Sequence, residues 1–129
     1  MARNERYSGK DDHHYSLPVP NNTAAGVAVR IGTFSATNDA QLNGVTETAT
    51  GAAGEAAPGH ATGHASVSIK GVFNLPVTTA TAVPEGGAVY ITSAGVLTPV
   101  ATGNALFGHV IDRAKGTTDP ETVPVRIKN

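Results

Sequence analysis

Between Ala65 and Ile111 the chain runs through a series of apolar/polar alternations, opening with Ala-Ser-Val-Ser-Ile-Lys-Gly-Val-Phe-Asn-Leu-Pro-Val and continuing through Ala-Val-Tyr-Ile-Thr and Ala-Leu-Phe-Gly-His-Val-Ile. A period of two is the pattern of a half-buried strand, because successive side chains of an extended backbone point to opposite faces. Val67, Ile69, Phe73 and Leu75 share one parity, with Ser66, Ser68, Lys70 and Asn74 on the other. One face is therefore expected to be apolar and the other wet.

The same grammar extends outward from this stretch. Upstream, Val27, Val29 and Ile31 alternate with Ala28 and Arg30, and Gly32 permits a bend before Thr33–Ser35, near Phe34. Pro76 is expected to close the opening run. Val83-Pro-Glu-Gly-Gly then supplies a turn before a strand over 88–92, and Ser93-Ala94-Gly95 a tight hairpin into 96–100. Thr102-Gly103-Asn104 turns into a strand over 105–112, and a loop over 113–121 leads to a last strand over 122–128. There Val123, Val125 and Ile127 share a face, and Pro124 marks an edge or a strand end. Turns every eight to twelve residues with no helical period predict an all-β fold, a small antiparallel β-barrel or sandwich.

Two stretches lie outside this pattern. Residues 1–22 are polar, contain Asp11-Asp12-His13-His14 and end in Leu-Pro-Val-Pro-Asn-Asn, which predicts an extended N-terminal arm ahead of a β-rich domain over 23–129. Tyr7, Tyr15, Leu17 and Val19 give that arm apolar groups for a neighbouring surface. From Gly44 to Ala65 the only large apolar residue is Val45, so a short strand over 45–49 and then a flexible Gly/Ala-rich loop over 50–64 are expected.

Composition narrows the function. There is no Trp, only three Phe and three Tyr, and much of the 40% hydrophobic fraction is Ala and Val, so the core must be light and assembly would add to its burial. A net charge of −1 gives no basic field for a phosphate backbone, and no nucleic-acid partner is expected. The chain has no cysteine for disulfides or thiolate metal sites. No run approaches the roughly 20 apolar residues of a membrane span, and no leader is apparent, so synthesis in the cytoplasm and no membrane partner are expected.

No catalytic constellation is legible. His60 and His64 are spaced i, i+4, but Pro58, Gly59 and Gly63 argue against the helix that would align them, so no metal and no cofactor is expected. His109 shares parity with Phe107 and Ile111 and reads as a packed or partly solvated histidine. Asp11-Asp12, Glu47 and Glu55 have nothing that places them at a cleft, and Gly86-Gly87 lacks the residues of a phosphate loop. The chain is not expected to be an enzyme.

The order and spacing of Gly71-Val-Phe-Asn-Leu-Pro76, Val83-Pro-Glu-Gly-Gly-Ala-Val-Tyr90, Gly95-Val-Leu-Thr98, Gly103-Asn-Ala-Leu-Phe-Gly-His-Val110 and Val123-Pro-Val-Arg-Ile127 resemble the capsid cement or decoration proteins of tailed phages. The resemblance covers about residues 27–129, and the chain departs from it in the insertion around 50–64 and in the arm. It implies a small β-rich domain, commonly a homotrimer, on the outer capsid surface of the virion over junctions between major capsid subunits. On that reading Arg3, Arg6, Tyr7, His13, His14, Tyr15, Leu17, Pro18, Val19 and Pro20 form a capsid-binding arm. Val29, Ile31, Phe34, Val67, Ile69, Phe73, Leu75, Val89, Ile91, Phe107, Ile111, Val125 and Ile127 then form the β core and the trimer packing. Two alternatives compete: a receptor- or glycan-binding β module using Tyr90 and Phe107, and a small hydrolase or metal-dependent enzyme built around His60, His64 and His109.

Overall fold

The alternating segments become nine strands in the computed structural model, which describes residues 14–37, 41–78 and 82–129, with no helix among them. They are β1 (His14–Pro18), β2 (Ala28–Ile31), β3 (Leu42–Thr46), β4 (His64–Ser68), β5 (Val72–Val77), β6 (Ala88–Ile91), β7 (Leu97–Thr98), β8 (Ala105–Val110) and β9 (Glu121–Ile127). The first four form an antiparallel sheet in the order β1-β4-β3-β2, and the other five close into a barrel in the order β5-β7-β6-β8-β9. The fold is all-β, as expected. One pairing is not antiparallel: β7 joins β5 in parallel through Val77 and Leu97, and this rung closes the barrel.

The long alternation is cut where it was read as continuous. Gly71 sits at φ 119°, a conformation that favours glycine, and it turns the chain from β4 into β5. Val67 and Ile69 thus pack in the open sheet with Val19, Val29 and Ala65, while Leu75 joins the barrel core and Phe73 packs against it. A narrow five-stranded barrel is filled by modest side chains. Leu75, Val77, Val89, Ile91, Leu97, Val110, Val123, Val125 and the single Phe107 are almost wholly buried there, which is why the light composition suffices.

Two prolines sit inside strands instead of at their ends. Along β9 the odd-numbered residues bond β5, as in Ile127 N–H to the Gly71 carbonyl at 3.0 Å, and the even-numbered ones face β8, as in Lys128 N–H to Phe107 at 2.9 Å. Pro124 therefore turns its missing N–H toward the point where β8 ends, and its carbonyl still accepts from Ile111 N–H at 2.9 Å. Pro76 does not close its run; β5 continues to Val77. Its nitrogen faces the β7 side, where pairing begins only at Val77 and Thr78.

A β-bulge corrects the assignment around His109. Val89 pairs with Gly108 but Tyr90 pairs with Leu106, so β8 carries one extra residue and its alternation flips. Phe107 and Val110 both point inward, His109 is half-buried, and Ile111 lies beyond the strand at 51% exposure, outside the core. Gly108 sits so close to β9 that an added Cβ would collide with the Arg126 carbonyl.

The sheet and the barrel are locked by Asn43, whose side chain is buried where the barrel meets β3. Its Nδ2 donates to the carbonyls of Leu106 (2.9 Å) and Lys128 (2.8 Å), and its Oδ1 accepts from Arg30 Nη1 at 2.7 Å. The Asn129 amide then completes the backbone of Asn43 as a paired strand would, accepting from its N–H at 2.8 Å and donating to its carbonyl at 2.9 Å. Val45 from β3 meanwhile joins the barrel core.

The strand expected over 45–49 lies at 42–46, and the 50–64 stretch is a hydrogen-bonded loop. Asn22 N–H donates to Gly51 (2.9 Å), Thr50 N–H to Thr23 (2.9 Å), Gly63 N–H to Gly54 (2.7 Å) and Val19 N–H to Gly63 (3.0 Å). With little apolar surface to bury, this loop is held by backbone hydrogen bonds.

Candidate functional site

The arm residues divide at His14. Arg3, Arg6, Tyr7 and His13 lie outside the described residues, whereas His14, Tyr15, Leu17 and Pro18 form β1, an edge strand paired along its length with β4. Leu17 packs against the small core of the open sheet, and Val19 is a buried member of it at 8% exposure. These two side chains are used within their own domain, which corrects their reading as anchors for a neighbour. Val19 and Pro20 lead into a turn in which the Pro20 carbonyl accepts from the Thr23 (2.6 Å) and Thr50 (2.9 Å) hydroxyls.

Polar contacts hold β1 on its other face. His14 Nδ1 lies 2.7 Å from a Glu47 carboxylate oxygen, which also accepts from the Ser66 hydroxyl at 3.1 Å. Ser16 Oγ is 2.8 Å from His60 Nδ1. The second histidine of the i, i+4 pair, His64, turns its Nδ1 to the Thr62 carbonyl at 3.2 Å. Among the described residues no group of three or more His, Cys, Asp or Glu side chains is placed to share a metal ion.

Among the described residues, Glu55 has its acidity altered by its surroundings. Its own backbone N–H and that of Ala53, which donates at 2.9 Å, hold its carboxyl below the usual glutamate range. This is loop capping by an exposed carboxylate.

At the opposite edge of the sheet, β2 borders a groove that the alternation pattern does not reveal. A cavity of about 670 Å³ lies between β2 with its flanking turns and the β6–β7 hairpin, lined by Val27, Ala28, Phe34, Ile91, Thr92 and Gly95 among others. A second of about 280 Å³ adjoins it through Val27, Ala28 and Gly95 and runs on to Pro76, Val96, Leu97 and Pro120. In sequence the only signal is the 93–95 turn and Val96 beyond it, an apolar residue that is 43% exposed.

The outer barrel wall carries further exposed apolar groups. Val72, Val100 and Ile111 are each more than half exposed, and Leu106 is 36% exposed. Phe107, one of two aromatics put forward for glycan binding, is fully buried, so that reading loses half of its site.

A family model described as phage cement protein matches residues 10–127, from the arm through the last barrel strand. The chain belongs to the phage cement protein family. Comparisons with curated proteins and with solved structures yield no match. Membership makes the cement protein a structural component that associates with a phage capsid, and the match includes both β1 and the 50–64 loop. The features of this cement protein that bear on such a role are its two unlike sheet edges and the apolar groups on its barrel wall.

Proposed function

We propose that the protein decorates the outside of the capsid as a homotrimer and stabilises the shell by bridging major capsid subunits. The family match carries the capsid partner. The placement of β1 supports the arm reading, because the strand that begins at His14 is the terminal strand in the sheet order β1-β4-β3-β2. Residues 1–22 act as the capsid-binding arm on this reading: 14–22 root it in the sheet and Arg3, Arg6, Tyr7 and His13 lie across neighbouring capsid subunits. Three copies meet through the barrel wall, where Val72 pairs with Arg126 of β9 and Ile111 bonds Pro124 of the same strand, and a threefold ring needs two different surfaces to meet head to tail. Each contact is weak alone. Bridging makes release require the loss of several at once, so avidity supplies the stabilisation.

The test must spare β1. Deleting residues 2–12 leaves every described strand in place, and the truncated protein is expected to keep its melting temperature while failing to co-sediment with empty shells. Full occupancy by that truncated protein contradicts the arm's role.

A further inference from the structure

We propose that a basic recess where β9 ends on one copy receives the acidic rim where β9 starts on the next, closing the ring head to tail; the proposal rests on the trimeric reading above and names its two unlike surfaces. Along β9 the charged side chains are sorted. Arg126 and Lys128 stand exposed at its far end and, with His109 of β8, border a recess of about 360 Å³. Among the described residues no carboxylate side chain lines this recess, and no ion pair engages either cation. At the near end Glu121 opens the strand, Asp119 precedes it by two residues, and Asp112 follows Ile111, whose N–H donates to the Pro124 carbonyl at 2.9 Å. Gly86 N–H donates to the Val110 carbonyl at 2.7 Å, which brings the exposed Glu85 to the same rim. Arg113 and Lys115 offset these acids only in part, so the rim is net negative.

Charge complementarity selects a second copy as the occupant. The recess calls for a carboxylate beside an apolar group, and the chain itself presents that combination at Ile111-Asp112. Each patch has its apolar neighbour: Val72 lies opposite Arg126, Ile111 adjoins Asp112, and both are 51% exposed. Glu121 and Ile127 stand about 20 Å apart along the strand, so recess and rim are separate surfaces, as a heterologous ring requires. The rim is also held in shape, since the Glu121 carboxylate accepts from the Lys115 and Gly116 N–H groups at 2.8 and 3.0 Å. In the ring Val72 covers Ile111 of the next copy while Arg126 meets its Asp112. An ion pair on an open surface contributes little, and the apolar cover withdraws this one from water and salt.

The chain has no cysteine, so engineered ones report the contact without background. Within one copy Val72 and Ile111 are two strand spacings apart, through Arg126 and His109, and two residues offset along the chain, more than about 10 Å and beyond disulfide reach. Co-expressed full-length Val72→Cys and Ile111→Cys chains are expected to cross-link with each other and not with themselves, and the double-cysteine variant to give covalent trimers, free or on empty shells. Arg126→Glu is expected to raise the concentration for half-assembly roughly tenfold, and adding Asp112→Arg to restore it. Trimers by mass, or shell occupancy in threes, in which the unlike pair fails to cross-link or Arg126→Glu changes nothing, overturn the charge pairing and leave the trimer standing. Weaker shell binding by Arg126→Glu with its trimer intact also overturns the pairing, since the recess then faces the capsid. Links that stop at the dimer, or single copies both free and on shells, overturn the trimer as well.

Discussion

Asn43 and Gly108 show how single positions fix the relation between sheet and barrel. Asn43 is itself buried, and replacing it leaves the Leu106 and Lys128 carbonyls without their donor. Asn43→Ala is expected to cost about 2–3 kcal/mol, read as a lowered denaturation midpoint. The Asn129 clip shares that network, so the double variant Asn43→Ala/Asn129→Ala should lose less than the sum of the two singles. Gly108→Ala drives a methyl into the β9 backbone and is expected to cost roughly 2 kcal/mol, or about 5–10 °C in Tm. Neither role is legible in sequence. Asn43 sits between Leu42 and Gly44-Val45 like any strand residue, and Gly108 reads as a weak point in a strand until the register shift appears. The same shift explains His109 and Ile111: parity was a sound guide up to the bulge and misleading after it.

At the level of elements, the hairpin from Ala88 to Thr98 and the strand around Val29 were legible because their alternation is bounded by turn residues. The break at 69–71 was not, since Ile69 and Phe73 keep the same parity although they belong to different sheets. Pro76 and Pro124 misled for a related reason: whether a proline interrupts a strand depends on which side its nitrogen faces, and that depends on partners distant in sequence. The arm was read as extended, and His14–Pro18 is extended, but the pairing with β4 joins non-adjacent segments. Deleting residues 2–20 should therefore uncover Ala65 and Val67 and lower the melting temperature, unlike deletion of 2–12, and two thermal melts separate the cases. The 50–64 loop responds to acid. Glu55 has its carboxyl held below the ordinary value of 4.5, so its contribution is present above that value and is lost as pH falls through the lower, folded one. Amide exchange in 51–55 should rise across that acid window, and Glu55→Gln should exchange at the higher level at neutral pH as well.

For the whole molecule, a five-stranded barrel of small side chains stands beside an open four-stranded sheet, and Val72, Val100 and Ile111 remain more than half exposed. Composition and turn spacing made the all-β class legible, and the ordered motifs from Gly71 to Ile127 made the family legible. Neither made the division into barrel and sheet legible, because it rests on the pairing of β5 with β9 and of β1 with β4. The most direct measurement is the heat-disruption temperature of empty shells titrated with the full-length protein, with bound copies counted at saturation. Saturable binding in multiples of three, with a rise in that temperature that reaches a plateau at saturation, is the predicted result. Binding as isolated copies with no change in shell stability would contradict a trimeric clamp across capsid subunits.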